Sequence, residues 1–237
     1  MKVMIFVDAD NFKGIRRLLR EEGRGDRWID FYKLNLFVIE YLGKNKQYKD
    51  CKLQHIRTYC YTGEYTPHLI KKIKDALENA KEEKKEFFRL ELTKAEQGYE
   101  SQKAFFKDVS TYYFFEMRKK PLQFSPTDGV FQKGVDVQLA VDLVTNAHLK
   151  TFDIAVVFSG DIDLIESVRS VKNLGKHVII FSHYKNTAKD MVTEADMFVD
   201  FQRFDDELLN KFTHIFQRRE TPTIPPNRQK FPPTTPS

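Results

Sequence analysis

The chain has 237 residues, 31% of them charged and 41% hydrophobic, with a mean hydropathy of −0.52. That length can bury one large core or two small ones, and no apolar run reaches the roughly 18 residues that a membrane-spanning helix needs. With no basic-then-apolar leader at the start, the expectation is a cytoplasmic protein without a membrane partner.

The net charge of +5 is unevenly placed. Arg218, Arg219, Arg228 and Lys230, set against Glu220, carry most of it, so the rest of the chain is nearly balanced and the basic character argues only weakly for a polyanion. Cys51 and Cys60 lie nine residues apart around an expected strand. At about 3.3 Å per residue they would stand roughly 30 Å apart, too far for a disulfide. The six histidines show no HxxxH or HExxH spacing and there is no CxxC, which excludes the common zinc patterns.

Val3 to Val7 is a short apolar run, the pattern of a strand buried on both faces of a parallel sheet. Phe12 to Glu22 reads as a helix with Ile15, Leu18 and Leu19 on one side, and "GRGD" breaks it. Asp30 is placed to cap a second helix, Phe31 to Leu42, whose Leu34, Phe37, Val38 and Tyr41 recur at helical spacing. "KLQHIRTYCY", Lys52 to Tyr61, is rich in aromatic and branched residues and predicts a strand.

Thr66 and Pro67 supply a cap and first-turn pair for a helix carrying Leu69, Ile73, Ala76, Leu77 and Ala80. The charged and aromatic pairs that follow, through "KKEFFRL", "KAFFKD" and "TYYFFEMRKK" to Pro121, extend the prediction to about fifty residues of helix, an elaboration over about 66–130. Its paired aromatics read more simply as packing than as base-stacking platforms.

From Gly134 a regular alternation resumes. A helix runs from Val135 to about Leu149, a strand from Ile154 to Phe158, and a helix from about Ile162 to Leu174 is stopped by Gly175. A strand His177 to Phe181, a short helix near Thr187 to Thr193 and a strand Met197 to Val199 follow. Strands alternating with helices predict an α/β fold with a mostly parallel, doubly wound sheet. Residues 205–217 read as a C-terminal helix, and the Pro- and Thr-rich 218–237 as a disordered tail.

In such sheets the site lies beyond the carboxyl ends of the strands, where strand order reverses. The first strand ends at Asp8, and Ile154–Phe158 ends just before Asp161 and Asp163. If these strands are neighbours their acids meet, joined by Asp136 from the first turn of its helix. Two unit charges about 4 Å apart repel by about 4 kcal/mol at an effective dielectric near 20, so such a cluster protonates or holds a cation. All-oxygen donors favour a hard ion, Mg2+ or Mn2+, suited to phosphodiester hydrolysis. Each aspartate taken alone also serves as a helix cap. Asp10 and Asp142 are supporting acids at best, Asp142 lying about 240° around the helix from Asp136. Lys133 and Ser159 are candidate phosphate contacts. There is no P-loop, no GxSxG elbow and no dinucleotide loop in "GRGDRW".

In order, "FVDADN", "QKGVDVQLAVDL", "VVFSGDIDLIESV", "LGKHVIIFS" and "EADMFVD" resemble the NYN domain, in its LabA-like branch, a relative of the PIN nucleases. The resemblance covers about 1–62 and 131–204 and implies a Rossmann-like PIN/NYN fold over 1–204 with a metal-dependent ribonuclease site. It matches Asp8 and Asn11 to a D-x-x-N element, Asp136 to the acid of KGVD, and Asp161 and Asp163 to SGDxD. The aspartates would hold the ion and Asn11 would orient the phosphate or a water on it. Leu164 stands where the family often has phenylalanine.

The leading expectation is a metal-dependent endoribonuclease with RNA as substrate. A haloacid dehalogenase-type phosphatase, using "DAD" as a nucleophile pair, is one rival. The other is a non-catalytic RNA-binding or regulatory module, in which the helical elaboration contacts a protein partner or a second copy of the chain.

Overall fold

The computed structural model describes residues 1–215. The tail 218–237 and the end of the expected 205–217 helix lie outside the described residues.

Strand β1 (Lys2–Asp8) is buried from Val3 onward, as its apolar run predicts. Asp8 ends it and caps helix α1 (Ala9–Glu21), whose start therefore precedes the expected Phe12. A short strand β2 (Arg27–Ile29), not foreseen, leads to α2 (Phe31–Gly43), capped by Asp30 through the Tyr32 N–H. Strand β3 (Gln54–Glu64) runs on past Tyr61 to α3 (Pro67–Glu78), where Thr66 Oγ1 accepts the Leu69 N–H at 3.1 Å. Helix α4 (Glu82–Val109) follows, then β4 (Phe115–Pro121) and a hairpin of β5 (Gln123–Ser125) and β6 (Gly129–Phe131).

The second half is α5 (Val135–His148), β7 (Ile154–Phe158), a 3-10 turn at Ile162–Leu164, α6 (Ile165–Asn173) and β8 (His177–Ser182). A turn at Tyr184–Asn186, α7 (Lys189–Glu194), β9 (Met197–Asp200), α8 (Asp206–Asn210) and β10 (Thr213–Ile215) complete it.

Six strands form one sheet in the order β4-β3-β1-β7-β8-β9, every pair parallel. The chain builds outward from β1 in both directions, so the crevice between β1 and β7 is the topological switch point. Alternation splits the apolar residues between two cores: Val3, Ile5 and Val7 face α1 and α2, while Met4 and Phe6 face α5 and α6. Asp8, in step with Met4 and Phe6, falls on the α5 side. The first core is aromatic-rich, with Phe158 stacked on Phe181 at 5.0 Å and Phe37 on Phe212 at 4.4 Å between ring centres. Each fully buried phenylalanine stabilises by about 1.5–3 kcal/mol.

Two sequence expectations fail for physical reasons. The stretch Phe115–Pro121, expected to continue a helix, is instead the edge strand of the main sheet, paired from Thr58↔Phe115 to Glu64↔Pro121. Phe115 and Met117 pack toward the α2-side core, and the intervening Glu116 meets Arg57 at 3.4 Å, the period-two pattern of a strand. Its Lys119, Lys120 and Pro121 blunt the open edge. The insertion is thus α3, α4 and the β5–β6 hairpin around a small core of Leu69, Ile73, Phe88, Ala95 and Phe124.

The expected C-terminal helix is cut to Asp206–Asn210, because the chain turns to pair β10 with β2. Fully buried Arg27 explains the turn: its guanidinium reaches Asp206 at 3.0 Å, Asn210 at 2.7 Å and Thr213 at 3.3 Å, and Nε reaches the Arg24 carbonyl at 2.8 Å. A buried charge left unpaired is strongly unfavourable, so α8 and β10 are held where those oxygens are needed. Cys51 and Cys60 are both free, as expected. No helix among the described residues is long and apolar enough to cross a membrane.

Candidate active site

At the switch point the ends of β1 and β7 are joined through side chains. Asp8 Oδ1 accepts the N–H groups of Asp10 and Asn11, both at 3.0 Å, while Oδ2 accepts the Ser159 hydroxyl at 3.1 Å. Ser159 Oγ in turn accepts the Asp161 N–H at 3.3 Å, and Asp161 Oδ1 accepts the Asp163 N–H at 3.1 Å, capping the Ile162–Leu164 turn. The Ser159 hydroxyl thus ties the Asp8 carboxylate to the main chain of Asp161. Asn11 adds a second tie across the crevice, its Oδ1 accepting the Gly160 N–H at 3.1 Å.

Gly160 is required here by close approach. A Cβ on it would lie 2.6 Å from the Asn186 carbonyl oxygen and 2.7 Å from Thr187 Cα, both backbone atoms. The missing side chain lets the loop after β8 close against β7, where the Ala188 N–H reaches the Gly160 carbonyl at 3.1 Å.

Asp136 arrives from another direction. Gly134 has φ +76°, a left-handed conformation that favours glycine, and starts α5. Since α5 ends where the chain enters β7, it runs back along the sheet and starts at the carboxyl edge. Asp136 opens α5, and α5 packs against the Ile162–Leu164 turn that carries Asp163. Asp136 is half-buried, Asp163 is exposed, and neither carboxylate makes a hydrogen bond or ion pair to other described residues.

Burial is the largest influence on Asp8 and raises its pKa above the ordinary 3.8; the N–H of Asn11 and the hydroxyl of Ser159 oppose this without overcoming it, and the charge of Asp10 adds to the rise. The ionised form is therefore costly, the condition a cation relieves. The donors are all oxygen, which suits a hard divalent ion that keeps several waters and takes one or two carboxylates. Among the described residues no three His, Cys, Asp or Glu side chains stand together as a metal-ligand set, so the expected meeting of Asp8, Asp136, Asp161 and Asp163 is not formed as one.

The remaining candidates separate. Ser159, expected to touch substrate, is fully buried and its hydroxyl is taken by Asp8. Asp10 pairs with Lys13 one turn along α1. Asp142 accepts the Tyr61 hydroxyl at 3.0 Å and faces Arg118 at 3.6 Å, a contact between α5 and the sheet. Lys133 is exposed and makes no hydrogen bond or ion pair to described residues. Sequence reasoning missed Asn186, whose Nδ2 donates to Asn11 Oδ1 at 3.1 Å and to the Asn11 carbonyl at 3.3 Å. Its available signal was position alone, just beyond the end of a strand next to β7. Two surface grooves of about 520 and 570 Å³, one beside α3 and α4 and one between α5 and α6, are lined by none of these residues.

Comparison with known proteins gives the family and the fold. The NYN domain profile matches residues 2–202. A crystal structure of a protein of unknown function from Vibrio parahaemolyticus is similar in fold, with a TM-score of 0.52 and 18% sequence identity over 90% of this chain and 96% of that one. No curated protein matches the chain.

Proposed function

The chain belongs to the NYN domain family, and on that premise we propose that it is a metal-dependent endoribonuclease acting at the rim where β1 and β7 end. The observation that carries the reading is Asp8: a buried carboxylate at the switch point, held by neutral donors only and tied through Ser159 to Asp161. Asp8 and Asp161, with Asp163 from the same turn and Asp136 from the first turn of α5, are the residues that would hold Mg2+ or Mn2+. When bound, such an ion polarises a phosphoryl oxygen and makes water a better nucleophile near neutral pH.

The protein's own groups do the positioning. Ser159 fixes the rotamer of Asp8, and the N–H groups of Asp10 and Asn11 hold its other oxygen. Asn11, its oxygen engaged by Gly160, turns its amide N–H outward as a donor to a phosphate oxygen. Lys133, free of protein partners among the described residues, supplies a mobile positive charge for a neighbouring phosphate. An exposed acid, Asp163, at this rim suits a polymer passing across it better than a small ester enclosed in a cavity.

Purified protein with Mn2+ is expected to cut single-stranded or structured RNA, and Asp161→Asn to stop cutting without lowering the melting temperature. Activity surviving in that variant overturns the assignment. Salt-sensitive RNA binding with no cleavage under any divalent ion would select a binding module instead.

A further inference from the structure

We propose that Asn186, in the turn after β8, is a positioning residue that sets the direction of the Asn11 carboxamide so that its N–H2 group is presented to a substrate phosphate. The inference rests on the phosphodiesterase reading above and extends it to a residue outside the acid set.

The carboxamide of Asn11 has two orientations, with its oxygen and nitrogen exchanged, and its own backbone does not choose between them. Its neighbours do. The Gly160 N–H can only donate, so the group facing it must be Oδ1, and the contact is 3.1 Å. Asn186 Nδ2 donates to the same oxygen at 3.1 Å and to the Asn11 main-chain carbonyl at 3.3 Å, so one amide reads two acceptors of one residue. With Oδ1 filled by two donors, Nδ2 of Asn11 is left without a hydrogen-bond partner among the described residues, next to the turn that carries Asp161.

Asn186 is itself held. The Asn186 N–H donates to the His183 carbonyl at 2.8 Å. His183 is fully buried; its Nδ1 accepts the Lys185 N–H at 3.2 Å, so Nε2 carries the proton and faces Glu22 at 3.2 Å. At Gly14, inside α1, an added Cβ would lie 2.5 Å from Asn186 Oδ1. A glycine inside a helix is ordinarily unfavourable, and here it leaves the space in which the Asn186 side chain lies against the first turns of α1.

A double-mutant cycle separates positioning from bulk structure. Misplacing a positioned group by about 1 Å can cost roughly 100-fold in rate, so Asn186→Ala is expected to lower kcat for RNA cleavage by about 10- to 100-fold. KM should rise only a few-fold, since one phosphate contact is weakened, while the Mn2+-induced rise in melting temperature should stay nearly unchanged. In an Asn11→Ala background the same change should cost less than about twofold, because the group it directs is gone. Equal losses in both backgrounds, or no loss in the first, overturn the proposal. Gly14→Ala, which pushes on the Asn186 side chain from the other side, should reproduce the loss, and Asn186→Ser serves if the alanine variant fails to fold.

A second readout does not depend on turnover. The Asn11 side-chain amide resonances, assigned by their absence in Asn11→Asp, should shift when single-stranded RNA is added with divalent ions chelated. In Asn186→Ala they should move in the free protein and lose that response. If wild type cuts no RNA, the nuclease reading fails, while this spectrum still decides whether Asn186 directs Asn11; unchanged Asn11 resonances in Asn186→Ala reject it.

Discussion

Asp8 at the sheet edge and Glu91 in the insertion are both buried carboxylates, and they sit in opposite electrostatic conditions. Glu91 accepts the Val130 N–H at 2.8 Å and pairs with Lys94 at 2.9 Å; burial raises its pKa, but the lysine and the N–H together outweigh it and hold the carboxyl below the ordinary 4.5. Asp8 has two N–H groups and a hydroxyl but no cation within its contacts, and burial wins. The first acid is satisfied by the fold and serves it by clamping β6 to α4. The second keeps a burial cost that its contacts do not cancel, the condition a bound cation would relieve.

The comparison can be tested first on the cores behind each acid. Phe158→Ala, beneath the switch point, should lower global stability by about 4 kcal/mol in urea denaturation. Phe88→Ala should instead speed amide exchange in α3, α4 and the hairpin while β1 and β7 keep their protection. Equal loss of protection in β1 and β7 would show that the insertion and the sheet unfold as one unit.

Glu91→Gln should cost about 2 kcal/mol at neutral pH. Because the folded pKa of Glu91 is depressed, its stabilisation is present above 4.5 and is lost as pH falls through the folded value, so the gap from wild type should close on acidification. Asp8→Asn should do the reverse without metal, raising stability at neutral pH by on the order of 1 kcal/mol by removing a buried charge. A raised folded pKa means the penalty is full above it and disappears as pH falls toward 3.8, so this gain should also vanish in acid. Saturating Mn2+ should invert the order, since wild type alone would gain about 2.7 kcal/mol at a hundred times Kd. If Asp8→Asn is destabilised without metal, Asp8 is as satisfied as Glu91 and the contrast is lost.

The half of the candidate site carried by strand-turn-helix junctions was legible in the sequence: Asp8 ends one apolar run, Asn11 lies three residues on, and Asp161 and Asp163 come three and five residues after another, at the edge that parallel sheets expose. The switch point rested on a condition the sequence left open, that Ile154–Phe158 lies beside Val3–Val7, and the β1–β7 pairing meets it. Asn186 was not legible, because its value comes from β8 lying beside β7 and from Gly160 admitting its loop, both tertiary facts. Strand β4 was misread because "YYFFEMRKK" satisfies spacings of two and of four alike, and only pairing with the distant β3 decides between them. Ser159 looked like a surface contact on spacing, whereas burial turned its hydroxyl inward to Asp8.

The family profile stops at residue 202, yet the guanidinium of Arg27 depends on oxygens from positions 206, 210 and 213. Trimming the protein at the homology limit would strand that cation in an apolar interior and unzip β10 from its partner strand. The smallest piece that can be expected to keep its shape therefore extends to Ile215, and an inactive shortened version would report a broken closure instead of a missing catalyst.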